Sequence, residues 1–406
     1  MRERMENGVH DFQSAVTRPA PDEQGSHTPP YGASETLGFQ MKPKDVKSYL
    51  DRFVIGQDEV KKTLAIAICD HYKQVQRPED GTEQSGDYTK PNILLIGPTG
   101  VGKTYIIRKL AQLVGVPFVK ADATKFSETG YVGAKVEDLL RDLLQQAQGD
   151  LQRAESGIIY LDEADKLAAR GPSQSKEVNT RGVQFGLLRL MEESDVDLRV
   201  SQDMYAQLQA VLDFQRGKIK RPKINTKHIL FILSGAFNGL EEIIRQRLGS
   251  RAIGFEADSD SKELPTPKQD SSILNLARVE DFISYGFEPE FMGRLPVRVA
   301  CHALDATHYL RILKESEGSF LRQLQLSFAD YGITVHFAED ALEFLAEAAA
   351  EEQTGARALL SLCEKALRPF KFELPSSAIR SFTVDAALLK NPEASLQALL
   401  HGQALH

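Results

Sequence analysis

The stretch Asn92-Ile93-Leu94-Leu95-Ile96-Gly97-Pro98-Thr99-Gly100-Val101-Gly102-Lys103-Thr104 determines how the rest of this chain is interpreted. Its four consecutive apolar residues, followed by a glycine, predict a short strand that is buried on both faces. Gly97 to Thr104 then follow the pattern Gly-x-x-x-x-Gly-Lys-Thr, and helical sequence continues from Tyr105 to about Val114. A strand, a glycine-rich loop and a helix in this order are typical of a phosphate-binding loop.

Such a loop is suited to a nucleoside triphosphate. Glycines let successive backbone N–H groups turn toward the anion, and the helix that follows presents its positive end to it. Lys103 would reach the β- and γ-phosphates, and the hydroxyl of Thr104 would ligate Mg²⁺.

Composition limits the classes of protein to consider. The chain has 406 residues, enough for two or three domains, and 42% of them are hydrophobic, enough for buried cores. The formal net charge of −8 argues against a protein that holds nucleic acid non-specifically, so no nucleic-acid partner is expected.

Cysteine usage and hydropathy indicate a cytoplasmic protein. Cys69, Cys301 and Cys363 lie far apart and form no Cys-x-x-Cys pair, so neither a zinc site nor a disulfide framework is indicated. No run of 18 apolar residues occurs, and the N-terminus lacks the apolar core of a signal peptide, so no membrane association is expected.

Strands that alternate with helices predict an α/β fold. Beyond the first strand, four further apolar runs predict a parallel five-stranded sheet with helices on both faces. These runs lie at residues 117–121, 157–163, 228–233 and 296–300.

Apolar periodicity divides the chain into four parts. Residues 1–40 have none and predict a disordered leader. Residues 41–302 predict the large α/β domain, residues 303–392 a smaller, mostly helical domain, and residues 393–406 a flexible tail. Within the helical domain the pattern predicts helices around 310–324, 342–349 and 359–367, and a short strand at 333–337.

Asp162-Glu163 ends one of the predicted strands, some 60 residues after the loop. Because parallel strands bring their carboxyl ends to one edge of the sheet, this acidic pair is expected beside the phosphates. Asp162 would hold Mg²⁺, mostly through water, and Glu163 would act as the general base that polarises the attacking water.

Five motifs follow one another along the chain: Val54-Ile55-Gly56-Gln57, Gly97–Thr104, Leu161-Asp162-Glu163-Ala164-Asp165-Lys166, Gly293-Arg294-Leu295-Pro296 and Thr354-Gly355-Ala356-Arg357. In these motifs the chain resembles, over roughly residues 41–375, the ClpX-type AAA+ protein unfoldases of the Clp/HSP100 family, in which they occur in the same order and the last is the second sensor motif. It implies an ATP- and Mg²⁺-dependent ATPase with an AAA+ domain followed by a small sensor 2 domain.

The resemblance also implies roles for individual residues around the nucleotide. Val54 and Ile55 would line the adenine pocket. Arg294 would be an arginine finger that reaches the γ-phosphate of the next copy in a homo-hexameric ring, and Arg357 a sensor arginine acting within its own chain. The remaining nucleotide contacts would come from Gly97, Pro98, Thr99, Gly100, Val101, Gly102, Lys103, Thr104 and Tyr105.

Two further stretches concern partners. Gly130-Tyr131-Val132-Gly133 resembles the family's pore loop, whose Tyr131 and Val132 would grip an extended polypeptide substrate. Ile253-Gly254-Phe255 resembles the tripeptide that docks on a ClpP-type peptidase, and the polar sequence after it suits a projecting loop.

The chain departs from the family pattern in three places. It has no four-cysteine zinc domain at its N-terminus. Instead of an Arg-Lys-His run at the pore entrance, residues 201–215 predict a helix, which a basic run at 216–223 follows. Ser234 stands where many AAA+ proteins place a polar first sensor.

The leading hypothesis is an ATP-driven ring that unfolds proteins and delivers them to a ClpP-type peptidase. An HslU-like unfoldase is the nearest alternative, because that relative shares the Gly-Tyr-Val-Gly loop and also lacks the zinc domain. Two further alternatives are a remodelling protein that has no peptidase partner and an AAA+ motor that acts on nucleic acid.

Overall fold

The computed structural model describes residues 39–77, 89–126, 134–168, 180–198, 223–251, 273–352 and 354–402. Outside these ranges lie residues 1–38 of the predicted leader, Tyr131, Val132, the Ile253-Gly254-Phe255 tripeptide and residues 201–222. The strands are β1 (Ile93–Ile96), β2 (Phe118–Asp122), β3 (Ile158–Asp162), β4 (Asp195–Asp197), β5 (Lys223–Asn225), β6 (Leu230–Gly235), β7 (Val297–Ala300), β8 (Thr334–Phe337) and β9 (Ser381–Val384).

The helices up to the end of the main sheet are α1 (Pro43–Asp51), α2 (Asp58–Val75), α3 (Lys103–Val114), α4 (Asp138–Gln146), α5 (Leu151–Glu155), α6 (Thr180–Met191), α7 (Leu240–Arg251), α8 (Val279–Tyr285) and α9 (Pro289–Gly293). Those that follow are α10 (Ala306–Glu315), α11 (Phe320–Ala329), α12 (Glu339–Glu352), α13 (Ala356–Glu373), α14 (Ala386–Lys390) and α15 (Pro392–His401).

The main sheet confirms the predicted α/β fold. Its five strands run parallel in the order β2-β3-β6-β1-β7. Every residue of β1 and β6 is buried, which explains why these strands appear in the sequence as continuous apolar runs. The register places Leu95 beside Ser234 and Ile96 beside Ala300, so the phosphate loop, Asp162 and the end of β6 meet at one edge.

Buried apolar side chains form two clusters. One runs from Leu94 to Ala300 and packs around the main sheet. The other runs from Tyr309 to Leu396 and packs around α10 to α15. Two small strand pairs were not predicted: β4 pairs antiparallel with β5, and β8, which was expected alone, pairs parallel with β9.

The helix expected around 310–324 is divided into α10 and α11. Between them, Ser316 Oγ donates a hydrogen bond to the carbonyl of Phe53 at 2.8 Å, and the backbone N–H of Glu317 donates to Arg52 at 2.9 Å. A Cβ on Gly318 would lie 1.9 Å from the Tyr105 hydroxyl. The chain leaves the helical path here because it packs against α1 and α3, a tertiary contact that periodicity does not reveal.

The chain end also differs from the flexible tail expected from residue 393. Pro392–His401 is a helix with proline in its first turn, and Leu396 is only 7% exposed within the second cluster. Burial of the Leu396 side chain stabilises this helix, although the sequence is short and its apolar periodicity is weak.

Candidate nucleotide-binding site

The phosphate loop has room for backbone but not for side chains at two of its glycines. Gly97 has φ +141°, and a Cβ there would lie 2.5 Å from the carbonyl oxygen of Cys301. Gly100 has φ +78°, and a Cβ would lie 2.2 Å from the carbonyl oxygen of Thr354. α3 begins at Lys103, so its unpaired first N–H groups lie at the loop. This is the backbone arrangement that binds phosphate.

The side chain of Lys103 lies across this loop. Its Nζ donates hydrogen bonds to the carbonyls of Gly97 at 2.6 Å and Pro98 at 2.7 Å. Only 8% of the residue is exposed, and burial lowers the pKa of the ammonium below its usual value. The cation is thus held at the loop by neutral acceptors, which phosphate oxygens can replace with a stronger, charge-assisted interaction.

Asp162 joins the loop to the neighbouring strands through hydroxyl groups. Thr104 Oγ1 donates to Asp162 Oδ2 at 2.8 Å, and Ser234 Oγ donates to Asp162 Oδ1 at 2.7 Å. Burial alone would raise the pKa of Asp162, but the hydroxyls of Ser234 and Thr104 lower it, so that it lies below its usual value. The carboxylate is therefore ionised at neutral pH.

Two residues that sequence reasoning missed complete this network. The Tyr160 hydroxyl lies 2.6 Å from Ser234 Oγ and 3.1 Å from Thr104 Oγ1, and burial raises its pKa. Lys120 on β2 places its Nζ 3.4 Å from Asp162 Oδ2. Tyr160 lies two residues before Asp162 and so on the same face of β3. Lys120 on β2 is the register partner of Tyr160. Strand alternation within β3 could have found Tyr160, whereas Lys120 becomes visible only with the register between β2 and β3.

This donor set fits Mg²⁺, which prefers hard oxygen ligands and retains several waters. The Thr104 hydroxyl and the ionised Asp162 carboxylate are already adjacent. Among the described residues, no group of three or more His, Cys, Asp or Glu side chains could hold a metal ion. Magnesium here would depend on Thr104, Asp162 and the phosphates.

Glu163 follows Asp162 in a left-handed conformation with φ +56°. This conformation costs about 1 kcal/mol or more for a residue with a side chain, and such strain is concentrated at functional sites. The turn is fixed by Asp165, which is nearly fully buried and accepts a hydrogen bond from the Ala236 N–H at 3.2 Å. Glu163 itself is exposed at the sheet edge, where solvent water can reach it.

The start of α13 contacts the phosphate loop directly. The Ala356 N–H donates to the Gly100 carbonyl at 2.9 Å, and a Cβ on Gly355 would lie 2.5 Å from Gly100. Arg357 follows in the first turn of α13, exposed, and its charge lowers the pKa of Lys103, although less than burial does. Of the arginines implied by the resemblance, Arg357 is the one that the structure brings to the loop of its own chain.

The residues expected at the adenine belong to neither of the two apolar clusters. Val54 and Ile55 are both buried. The Gln57 side chain accepts a hydrogen bond from the His302 N–H at 2.9 Å and donates one to the His302 carbonyl at 2.7 Å. The Tyr105 hydroxyl lies close to Gly318, which belongs to the segment that connects α10 and α11.

Arg294 lies away from this site, at the opposite end of β1. The Asn92 side chain, just before β1, donates to the Arg294 carbonyl at 3.0 Å. The guanidinium pairs with Glu192 at 2.6 Å, and the two side chains are 49% and 43% exposed. Arg294 therefore faces outward rather than toward its own phosphate loop, and sequence reasoning did not anticipate its contacts with Glu192 and Asn92.

The fold and the site together define a P-loop ATPase of the AAA class. Residues 89–298 match the family model described as AAA domain (Cdc48 subfamily). Residues 304–377 match the C-terminal, D2-small domain of ClpB protein.

Relatives named ATP-dependent Clp protease ATP-binding subunit ClpX narrow the class. That of Porphyromonas gingivalis is 36% identical over 85% of this chain and 81% of the relative. Those of Borrelia duttonii and Treponema denticola are 41% and 38% identical over 82% of this chain, and 75% and 77% of the relatives. The chain belongs to the ClpX family. No helix in the described ranges is long and apolar enough to cross a membrane.

Proposed function

We propose that this chain is a cytoplasmic, ATP-driven protein unfoldase that works as a homo-hexameric ring and passes its substrates to a ClpP-type peptidase. The proposal is supported above all by the outward position of Arg294. The phosphate loop of the same chain already has the Lys103 ammonium, the Thr104 hydroxyl and the Asp162 carboxylate in place. An arginine so placed can serve the nucleotide of another copy.

Within one copy, the loop and the first turn of α3 bind the phosphates, and Lys103 exchanges its two backbone acceptors for phosphate oxygens. Thr104 and Asp162 would hold Mg²⁺, which supplies neutralisation of phosphate charge when bound. Exposed Glu163 accepts a proton from the attacking water. Ser234 orients Asp162, which suits it to the role of first sensor.

Residues outside the phosphate loop have further roles in this proposal. Tyr131 and Val132 grip the polypeptide in the central pore, and Ile253-Gly254-Phe255 docks on the peptidase. Arg357 links the nucleotide to α13 and the helical part of the chain. The ClpX relatives support these roles through their names, which describe an ATP-binding subunit of a protease.

A fluorescent folded protein with an unstructured tag tests the proposal. With ATP and a ClpP-type peptidase, we expect fluorescence to fall and peptides to appear. Glu163→Gln is the control, which should bind substrate without unfolding it. Fluorescence loss without peptides would remove the peptidase link, and ATPase stimulation by DNA but not by unfolded protein would favour a nucleic-acid motor instead.

A further inference from the structure

Glu192 and Arg294 form an ion pair at the surface of the protein. The Nη2 of Arg294 donates to Glu192 Oε1 at 2.6 Å, and about half of each side chain is exposed. Exposed ion pairs of this kind contribute little to folding stability. Stability is therefore a weak reason for this contact.

The backbone on the arginine side of the pair is fixed from inside the protein. Asn92, only 1% exposed, donates to the Arg294 carbonyl at 3.0 Å and accepts from the Phe231 N–H at 3.2 Å. Asn92 thereby connects Arg294 to the ends of both β1 and β6. The start of the arginine side chain cannot move far without breaking buried hydrogen bonds.

The backbone on the glutamate side is fixed as well. The hydroxyl of Thr226, which is fully buried, donates to the Glu192 carbonyl at 2.6 Å. The Thr226 carbonyl in turn accepts from Lys90 Nζ at 2.7 Å. Two anchored backbones thus present two side chains to each other, so the pair forms with less loss of freedom than is usual at a surface.

The contact uses one nitrogen of the guanidinium. Arginine carries five N–H donors in a rigid plane, so a carboxylate that engages Nη2 leaves donors for a second anion. A γ-phosphate can therefore be bound while Glu192 stays in place. This geometry suits a group that orients the arginine rather than one that occupies it.

We infer that Glu192 is a positioning residue for Arg294, holding the guanidinium in the orientation in which its remaining N–H groups donate to the nucleotide of a neighbouring copy. The inference rests on the proposed role of Arg294 in trans. Without Glu192 the arginine would sample several rotamers, and part of its contribution to turnover would be lost.

Three variants in the full chain test this role. Glu192→Ala removes the contact and should lower ATP turnover of the assembled protein about fivefold. This is less than the loss of about a hundredfold that a fixed 1 Å misplacement can cause, because the freed arginine still samples the productive rotamer part of the time. Glu192→Gln keeps an acceptor oxygen and should remain within about twofold of the parent. Glu315→Ala, which breaks the exposed Arg311–Glu315 pair on α10, is the matched control and should change nothing.

Mixed assemblies distinguish positioning in trans from damage to the variant's own site. Glu163→Gln copies retain Arg294 and Glu192, so mixing them with Glu192→Ala copies should restore turnover per active site. Unchanged or faster turnover in Glu192→Ala overturns the inference, as does a deficit that mixing leaves in place. Arg294→Ala copies are mixed with Glu163→Gln copies in the same way. If their turnover per active site is not restored, the proposed role of Arg294 in trans is itself wrong.

Discussion

Strand β1 carries the phosphate loop at its carboxyl end and the contact with Arg294 at its amino end, and the two ends are built differently. At the loop, Lys103, Thr104 and Asp162 are buried or half-buried and are joined by hydrogen bonds within one chain. At the other end, Arg294 is half-exposed and its guanidinium contacts one carboxylate. Only about 13 Å of strand separates them.

This difference suggests which chemistry the chain performs alone and which it shares. A buried network gives a preorganised site, because its groups are already held in fixed positions before a ligand binds. An exposed arginine whose guanidinium engages one carboxylate keeps further N–H donors that a second anion can accept. Nucleotide binding should therefore depend on the loop end, and turnover on both ends.

The largest effect is expected from Glu163→Gln at the loop end. The amide cannot accept the proton of the attacking water, so ATP turnover should fall about a thousandfold, while ATP binding is kept. Turnover assays and titration with a fluorescent ATP analogue measure the two separately. Near-normal hydrolysis would remove Glu163 from the role of base.

Arg294→Ala should give the next largest effect, from the other end of β1. We expect turnover to fall about a hundredfold while the affinity of the isolated chain for nucleotide stays unchanged, because Arg294 lies away from its own loop. Weaker nucleotide binding by the isolated variant would contradict the comparison of the two ends.

Ser234→Ala tests how much the Ser234 hydroxyl contributes to Mg²⁺ binding at the loop end. Without the hydroxyl, Asp162 loses a donor and its pKa rises, so about a tenfold higher Mg²⁺ concentration should be needed for half-maximal nucleotide binding. Ser156→Ala is the control, because the Ser156 hydroxyl bonds only the carbonyls of Gln152 and Arg153 among the described contacts. An unchanged Mg²⁺ midpoint would show that Tyr160 and Thr104 suffice to orient the carboxylate.

The smallest expected effect concerns Lys90, near Arg294. Burial lowers its pKa from 10.5 to about 7. Between these values the unfolded chain binds the proton and the folded chain does not, so the contribution of Lys90 to folding stability rises as pH increases from about 7. Urea unfolding at pH 7, 8 and 9 should show this rise in the parent and a flatter dependence in Lys90→Met.

The loop end was largely predictable from the sequence because its signals are local. Continuous apolar runs specify buried parallel strands, and the glycine spacing from Gly97 to Thr104 specifies the loop. Asp162 could be placed beside the loop because parallel strands end at one edge. Tyr160 follows from alternation within β3, but Lys120 needed the register between β2 and β3, which sequence alone does not provide.

The Arg294 end could not be predicted in the same way. Asn92, Glu192 and Thr226 are single polar residues whose partners lie far away in the sequence, and no spacing rule connects them. The break between α10 and α11 likewise depends on contacts with Arg52 and Phe53. Such features arise from tertiary packing, which overrides local periodicity.

The meeting of Gly100 with Gly355 has a mechanical consequence. Because both residues lack side chains, the loop and the start of α13 touch through main chain alone, and no rotamer change can absorb a displacement. The 18 residues of α13 span about 27 Å and include Pro369 inside the helix. A shift of the loop backbone on phosphate entry would therefore pass directly to the first turn of α13 instead of being taken up by side chains.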